Sequence, residues 1–134
     1  MYSKSTKKIG ILTFHFSNHN YGAVLQSYAS FTFLKSLGLD PIIINLLPQK
    51  KQGILTRIKC LVLSRLTNGH YFNQFISKNL ELTRKIYGGE SLAQLNKYFD
   101  IYYVGSDQVW RPSMAKERLL NYFLDFADDS KVKI

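Results

Sequence analysis

Asp100-Ile101-Tyr102-Tyr103-Val104-Gly105-Ser106-Asp107-Gln108-Val109-Trp110-Arg111-Pro112 is the stretch on which the fold turns. Ile101 to Val104 is β-branched and aromatic, without polar alternation, which predicts a strand covered on both faces, as in a parallel sheet between helices. Gly105 breaks the run. Ser106, Asp107, Gln108 and the indole N–H of Trp110 then supply donors and acceptors, and Pro112 stops the segment. Ligands of open α/β sheets sit beyond the carboxyl ends of the strands. Gly105, Ser106, Asp107, Gln108 and Trp110 are therefore candidate substrate contacts, because an apolar ring beside fixed polar groups suits a sugar-like ligand. A purely structural alternative stays open, with Asp107 capping a turn, Trp110 in the core and Gly105 closing the strand.

Upstream, Lys8 to Phe16 predicts a central strand in which Gly10 allows close packing. His15-Phe16-Ser17-Asn18-His19-Asn20-Tyr21-Gly22 reads as a loop. Ala23 to Leu37 carries Val24, Tyr28, Phe31 and Leu34 at helical spacing, widened by Leu25 and Leu37, with Gly38 as a stop signal. The amides at that helix's start suit a phosphate or carboxylate. The loop has one glycine, not the spaced three of a dinucleotide fingerprint, which argues against a flavodoxin-type nucleotide domain. His15 and His19 have no third ligand nearby in sequence, so no metal site is expected.

Asp40 to Leu47 predicts a second strand and Ile54 to Leu66 a basic amphipathic helix. That helix suits packing on a sheet first and an anionic lipid surface second. Tyr71 to Leu80 predicts a further core helix, Leu82 to Tyr87 a short extended piece, and Glu90 to Phe99 a short helix. Ser113 to Leu120 allows one or two helical turns. Asn121 to Phe126 reads as an extended aromatic run, and Asp128-Asp129-Ser130 as a turn entering a strand at Val132 to Ile134.

With 46% hydrophobic and 20% charged residues in 134, one core is well supplied. No apolar run reaches the roughly 18 residues of a membrane span. A lone Cys60 forms no internal disulfide and a secretory leader is not expected at Met1 to Lys8, which points to the cytoplasm. Residues 1–99 hold 13 Lys and Arg against three acids, whereas residues 100–134 hold five against six, so the net +9 is concentrated in front. A basic front attracts anionic partners. No nucleic-acid-binding motif accompanies it, so nucleic acid is not expected.

Gly105-Ser106-Asp107-Gln108-Val109-Trp110, together with Asn20-Tyr21-Gly22-Ala23-Val24-Leu25-Gln26 and Asn121-Tyr122-Phe123-Leu124-Asp125-Phe126, resembles the polysaccharide pyruvyl transferase family. The resemblance runs from Ile9 onward and covers the front part of the family's usual length. It implies that residues 1–134 are part of the first, Rossmann-like domain of a two-domain, glycosyltransferase-like transferase whose second domain and catalytic residues lie beyond Ile134. No catalytic residue carries over. The implied activity moves pyruvate from phosphoenolpyruvate to a sugar hydroxyl as a ketal in cell-surface polysaccharide biosynthesis, with a glycan or lipid-linked sugar as acceptor and no cofactor. Work on a lipid-linked acceptor would bring the enzyme to the inner face of the membrane. Asn18, Asn20, Tyr21 and Gly22 are then expected to line the cleft beside Ser106, Asp107 and Gln108. Ser27, Ser30 and Arg111 depart from what relatives often carry. The contrasting reading is a non-catalytic glycan-binding protein or truncated remnant.

Overall fold

The computed structural model describes residues 6–16, 20–48 and 69–134. Strand β1 (Lys8–Leu12) forms because alternate side chains find apolar cover on opposite faces. Ile9 and Ile11 join one core cluster, Leu12 the other. A Cβ at Gly10 would lie 2.9 Å from Ile44 Cδ1 and 3.2 Å from the Phe99 ring. The missing side chain is what lets that second face close.

Helix α1 (Tyr21–Ser36) follows, buried through Val24, Ser27, Phe31 and Leu34. Leu25 and Leu37 do not widen its stripe, since both are more than half exposed. Ser27 takes an interior position because its hydroxyl donates to the Ala23 carbonyl at 2.8 Å and leaves no polar atom unpaired. Gly38, at φ 77°, ends the helix. Leu39 N–H donates to Leu34 O and Gly38 N–H to Lys35 O, a Schellman closure.

The single strand expected over Asp40 to Leu47 is two. β2 (Asp40–Ile43) pairs with β1, whereas β3 (Leu46–Leu47) pairs with β4 (Ile86–Tyr87) in a separate two-stranded sheet. The break falls at Asn45, whose backbone N–H is taken by the Thr83 hydroxyl at 3.0 Å and whose side chain reaches His15. Helix α2 (Gly69–Asn79) packs Phe72 and Ile76 against the α1 side of the sheet. The expected helix over Ile54 to Leu66 lies outside the described residues, as does Cys60. Glu90 to Phe99 forms only a 3-10 helix at Ala93–Lys97.

β5 (Ile101–Val104) lies between β1 and β6 (Val132–Lys133), and the order β2-β1-β5-β6 is parallel throughout. The chain is thus mixed α/β with a mainly parallel sheet. Between β5 and β6, the short helix α3 (Pro112–Ala115) falls where helical turns were expected over Ser113 to Leu120, whereas the end of α4 (Leu119–Tyr122) and a following turn replace the extended run expected at Asn121 to Phe126. There, Tyr122 and Leu124 are buried and Phe123 exposed, the alternation of a strand, but a turn with Leu124 at φ 59° produces it. Among the described residues no helix is long and apolar enough to cross a membrane.

Candidate functional site

The chain leaves β1 toward β2 on one side of the sheet and later returns to β5 on the other, so the connections diverge between β1 and β5. A crevice at the carboxyl ends follows from that divergence. Leu12 stands beside Val104 in register, and Gly105 N–H donates to Leu12 O at 3.0 Å. Both loops singled out in the sequence therefore leave the sheet at one point.

On the first loop, Asn20 caps α1, its Oδ1 accepting from Ala23 N–H at 3.2 Å. Short polar side chains are favoured there because they satisfy amides the helix leaves unpaired. No acidic residue occupies the helix's first turn. On the second loop, a 3-10 turn (Asp107–Trp110) is capped by Ser106, whose Oγ accepts from Gln108 N–H at 3.4 Å. Ser106 does this at φ 80°, a conformation that is strained for a residue with a side chain. Val109, fully buried, anchors the turn.

Between the loops lies a cleft of about 310 Å³, with Asn20, Gly22, Gln26, Ser106 and Gln108 around it and Phe14 and Met114 as its apolar part. Its lining offers amide and hydroxyl groups. Four of the sequence candidates, Asn20, Gly22, Ser106 and Gln108, are thus brought together. Gly105 is buried behind them, where a Cβ would stand 2.6 Å from Gln26 Nε2 and 3.2 Å from the Tyr103 ring. Its close approach is to these side chains.

Two candidates point elsewhere. Tyr21 packs edge-on against Phe72, with centroids 4.6 Å apart, and borders an apolar hollow of about 390 Å³ between α1 and α2. Trp110 is 48% exposed, donates its indole N–H to Tyr122 O at 3.2 Å and is not among the cleft's lining residues. Asn18 and His19 lie outside the described residues, and Asp107 is described by its backbone only. Among the described residues no cluster of three or more metal-ligating side chains occurs.

The fold also adds residues that were not among the candidate contacts. Gln26 is one turn beyond Gly22 on α1, so helical spacing already put it at the cleft. It is held at both ends: Thr13 Oγ1 donates to its Oε1 at 2.7 Å, and its Nε2 donates to Ser30 Oγ at 3.0 Å. Arg118 carried no local signal. Arg111 adjoins the Ser106 loop in sequence, but Arg118 is the arginine brought against the first loop, with its guanidinium carbon 5.7 Å from the Phe14 ring centre and 5.4 Å from that of Phe16. It is 3% exposed.

His15, beside it, is also buried, and burial lowers its pKa from the usual histidine value. Hydrogen bonds to Asn45 Oδ1 at 3.0 Å and Thr13 O at 3.3 Å oppose that shift, while the Arg118 charge adds to it. A neutral ring has one N–H, so it donates to one of these acceptors at a time. Burial likewise raises the Tyr122 hydroxyl to about 12, against the lowering effect of Arg118. No family model matches the chain. None of the curated proteins matches it.

Proposed function

We propose that this chain forms one wall of a polysaccharide pyruvyl transferase, with the cleft between the Asn20 and Ser106 loops contacting the acceptor sugar. The observation that carries this reading is the convergence, at one sheet crevice, of the two motifs that resemble the family. Amide and hydroxyl groups held by Thr13, Ser30 and the turn at Ser106 suit sugar hydroxyls, and Phe14 and Met114 provide the apolar contact that a pyranose face needs. In the reaction, two sugar oxygens bond to the enol carbon of phosphoenolpyruvate, its C–O bond to phosphate breaks, and one hydroxyl proton goes to the methylene carbon while the other leaves with phosphate or solvent. General acid and cation clamp are the roles required. The acid is expected from a second domain, and residues 1–134 alone are expected to form no ketal. The setting is the cytoplasm, with a lipid-linked acceptor at the inner membrane face.

The amide-rich lining also favours a second reading, glycan binding without chemistry. The test uses saturation-transfer NMR with pyranosides on the 134-residue chain, and ketal formation from phosphoenolpyruvate by the chain extended through any downstream reading frame. Gln108→Ala should weaken binding at least about tenfold, as expected when a polar sugar contact is left unpaired. Ketal formation lost with it supports transfer. Binding without any ketal supports the second reading, and unchanged binding in Gln108→Ala removes the cleft from both.

A further inference from the structure

Arg118 lines a second hollow, of about 140 Å³, that adjoins the cleft and shares Phe14, Asn20, Ala23 and Met114 with it. Its guanidinium is almost wholly buried, and only Nη2 has a hydrogen-bond acceptor, the Met114 carbonyl at 3.4 Å. Nε and Nη1 have none among the described residues. Among the described residues no carboxylate forms an ion pair with it. A guanidinium stays charged at any ordinary pH, and a buried charge without a counter-charge is strongly unfavourable. The Phe14 and Phe16 rings offset part of that cost, since cation–π contacts are modest beside the hydrogen bonds forgone. Among the described residues, a further buried polar side-chain atom without a partner is the Tyr122 hydroxyl, whose ring lies edge-on to Phe14 at 5.3 Å. Both groups pack against the Phe14 ring, so they share one interior. The amino end of α1, capped by Asn20 and free of acidic residues in its first turn, borders the same hollow.

We propose that this hollow is an oxyanion-binding subsite in which Arg118 holds a small carboxylate or phosphate group. Either group presents two oxygens to a planar guanidinium fork, and Nε and Nη1, closed to water in this structure, meet them once the side chain turns toward the hollow. The subsite stands on Arg118 and the hollow alone, whatever reaction the neighbouring cleft serves.

The test titrates the 134-residue chain with inorganic phosphate and, separately, with pyruvate, at ionic strength held constant with sodium chloride. The readouts are the Arg118 Nε–H signal in nitrogen-correlated NMR, assigned by its loss in Arg118→Lys, and the melting temperature. A saturable shift of that signal and a rise in melting temperature with phosphate alone, or with pyruvate alone, fix which oxyanion is held. Arg118→Met should melt higher than wild type without anion, because an unpaired buried charge is gone, and should lose at least about tenfold in affinity. A signal that moves with neither anion overturns the subsite. So does binding of equal affinity in Arg118→Met.

Discussion

The Thr13 hydroxyl donates to the Gln26 carboxamide at 2.7 Å and so ties the exit of β1 to the second turn of α1. The same carboxamide lies where a side chain at Gly105 would go, 2.6 Å from the position of its Cβ. Gln26 is flexible by itself, but Thr13 and Ser30 hold it at both ends. Gly105→Ala therefore has to break one of these bonds or shift β5. The expected loss is about 1–3 kcal/mol in denaturant unfolding. In a Gln26→Ala background the added cost should fall below about 0.5 kcal/mol, a coupling that a double-mutant cycle measures. Additive losses would show that the two positions do not meet.

A second expectation concerns pH. Burial holds the His15 pKa below its ordinary value, while the unfolded chain titrates normally. Between the folded pKa and about 6.5 the unfolded state binds more protons, so stability rises with pH in that window. The His15 contribution is fully present above about 6.5 and declines as the solution is acidified through the folded pKa. His15→Gln should remove this component of the pH slope, as read by urea midpoints between about pH 5 and 8. An identical slope in the variant would place the linkage on other groups.

The strand at Ile101 to Val104 was legible because four apolar residues without alternation admit little but a doubly covered strand. The two loops were legible because Asn20 and Ser106 are helix and turn openers by chemistry. What the sequence did not disclose depends on distant partners. The division of Asp40 to Leu47 into two sheets follows from Thr83 and His15 meeting Asn45 across at least 30 residues of chain. The alternation of Tyr122, Phe123 and Leu124 fits a strand and a turn equally, and tertiary burial decided for the turn. Tyr21 and Trp110 stand beside the right residues in sequence, yet the helical and 3-10 geometry aims them away from the cleft. Arg118 reached it through folding alone.

Tyr122 offers a check on the buried polar interior. Its hydroxyl has no partner among the described residues, so removing it deletes an unsatisfied group instead of breaking a bond. Tyr122→Phe is expected to leave unfolding free energy unchanged or to raise it by up to about 1 kcal/mol, measured without added anion. In wild type the hydroxyl should resist ionisation until about pH 12 in an ultraviolet titration. A clear destabilisation in Tyr122→Phe would mean that the hydroxyl has an acceptor after all.

Ser106 combines two opposing effects at one position, and two substitutions separate them. Its backbone is at φ 80°, where a side chain costs about 1–3 kcal/mol, and its hydroxyl caps the turn through a long bond to Gln108 N–H of 3.4 Å. Ser106→Ala keeps the strain and removes the cap, which should cost about 0.5–1 kcal/mol. Ser106→Gly also removes the cap but relieves the strain, against about 0.5–1 kcal/mol for the extra freedom of glycine in the unfolded chain. The glycine variant should therefore be the more stable of the two by about 1 kcal/mol, the reverse of the order at an ordinary φ. Relief of strain also loosens the turn that presents Gln108 to the cleft, so Ser106→Gly should bind pyranosides more weakly than wild type while unfolding no more easily. Alanine as the more stable variant would show that the loop does not store strain at Ser106. Undiminished sugar binding in the glycine variant would show that the strain does not serve the site.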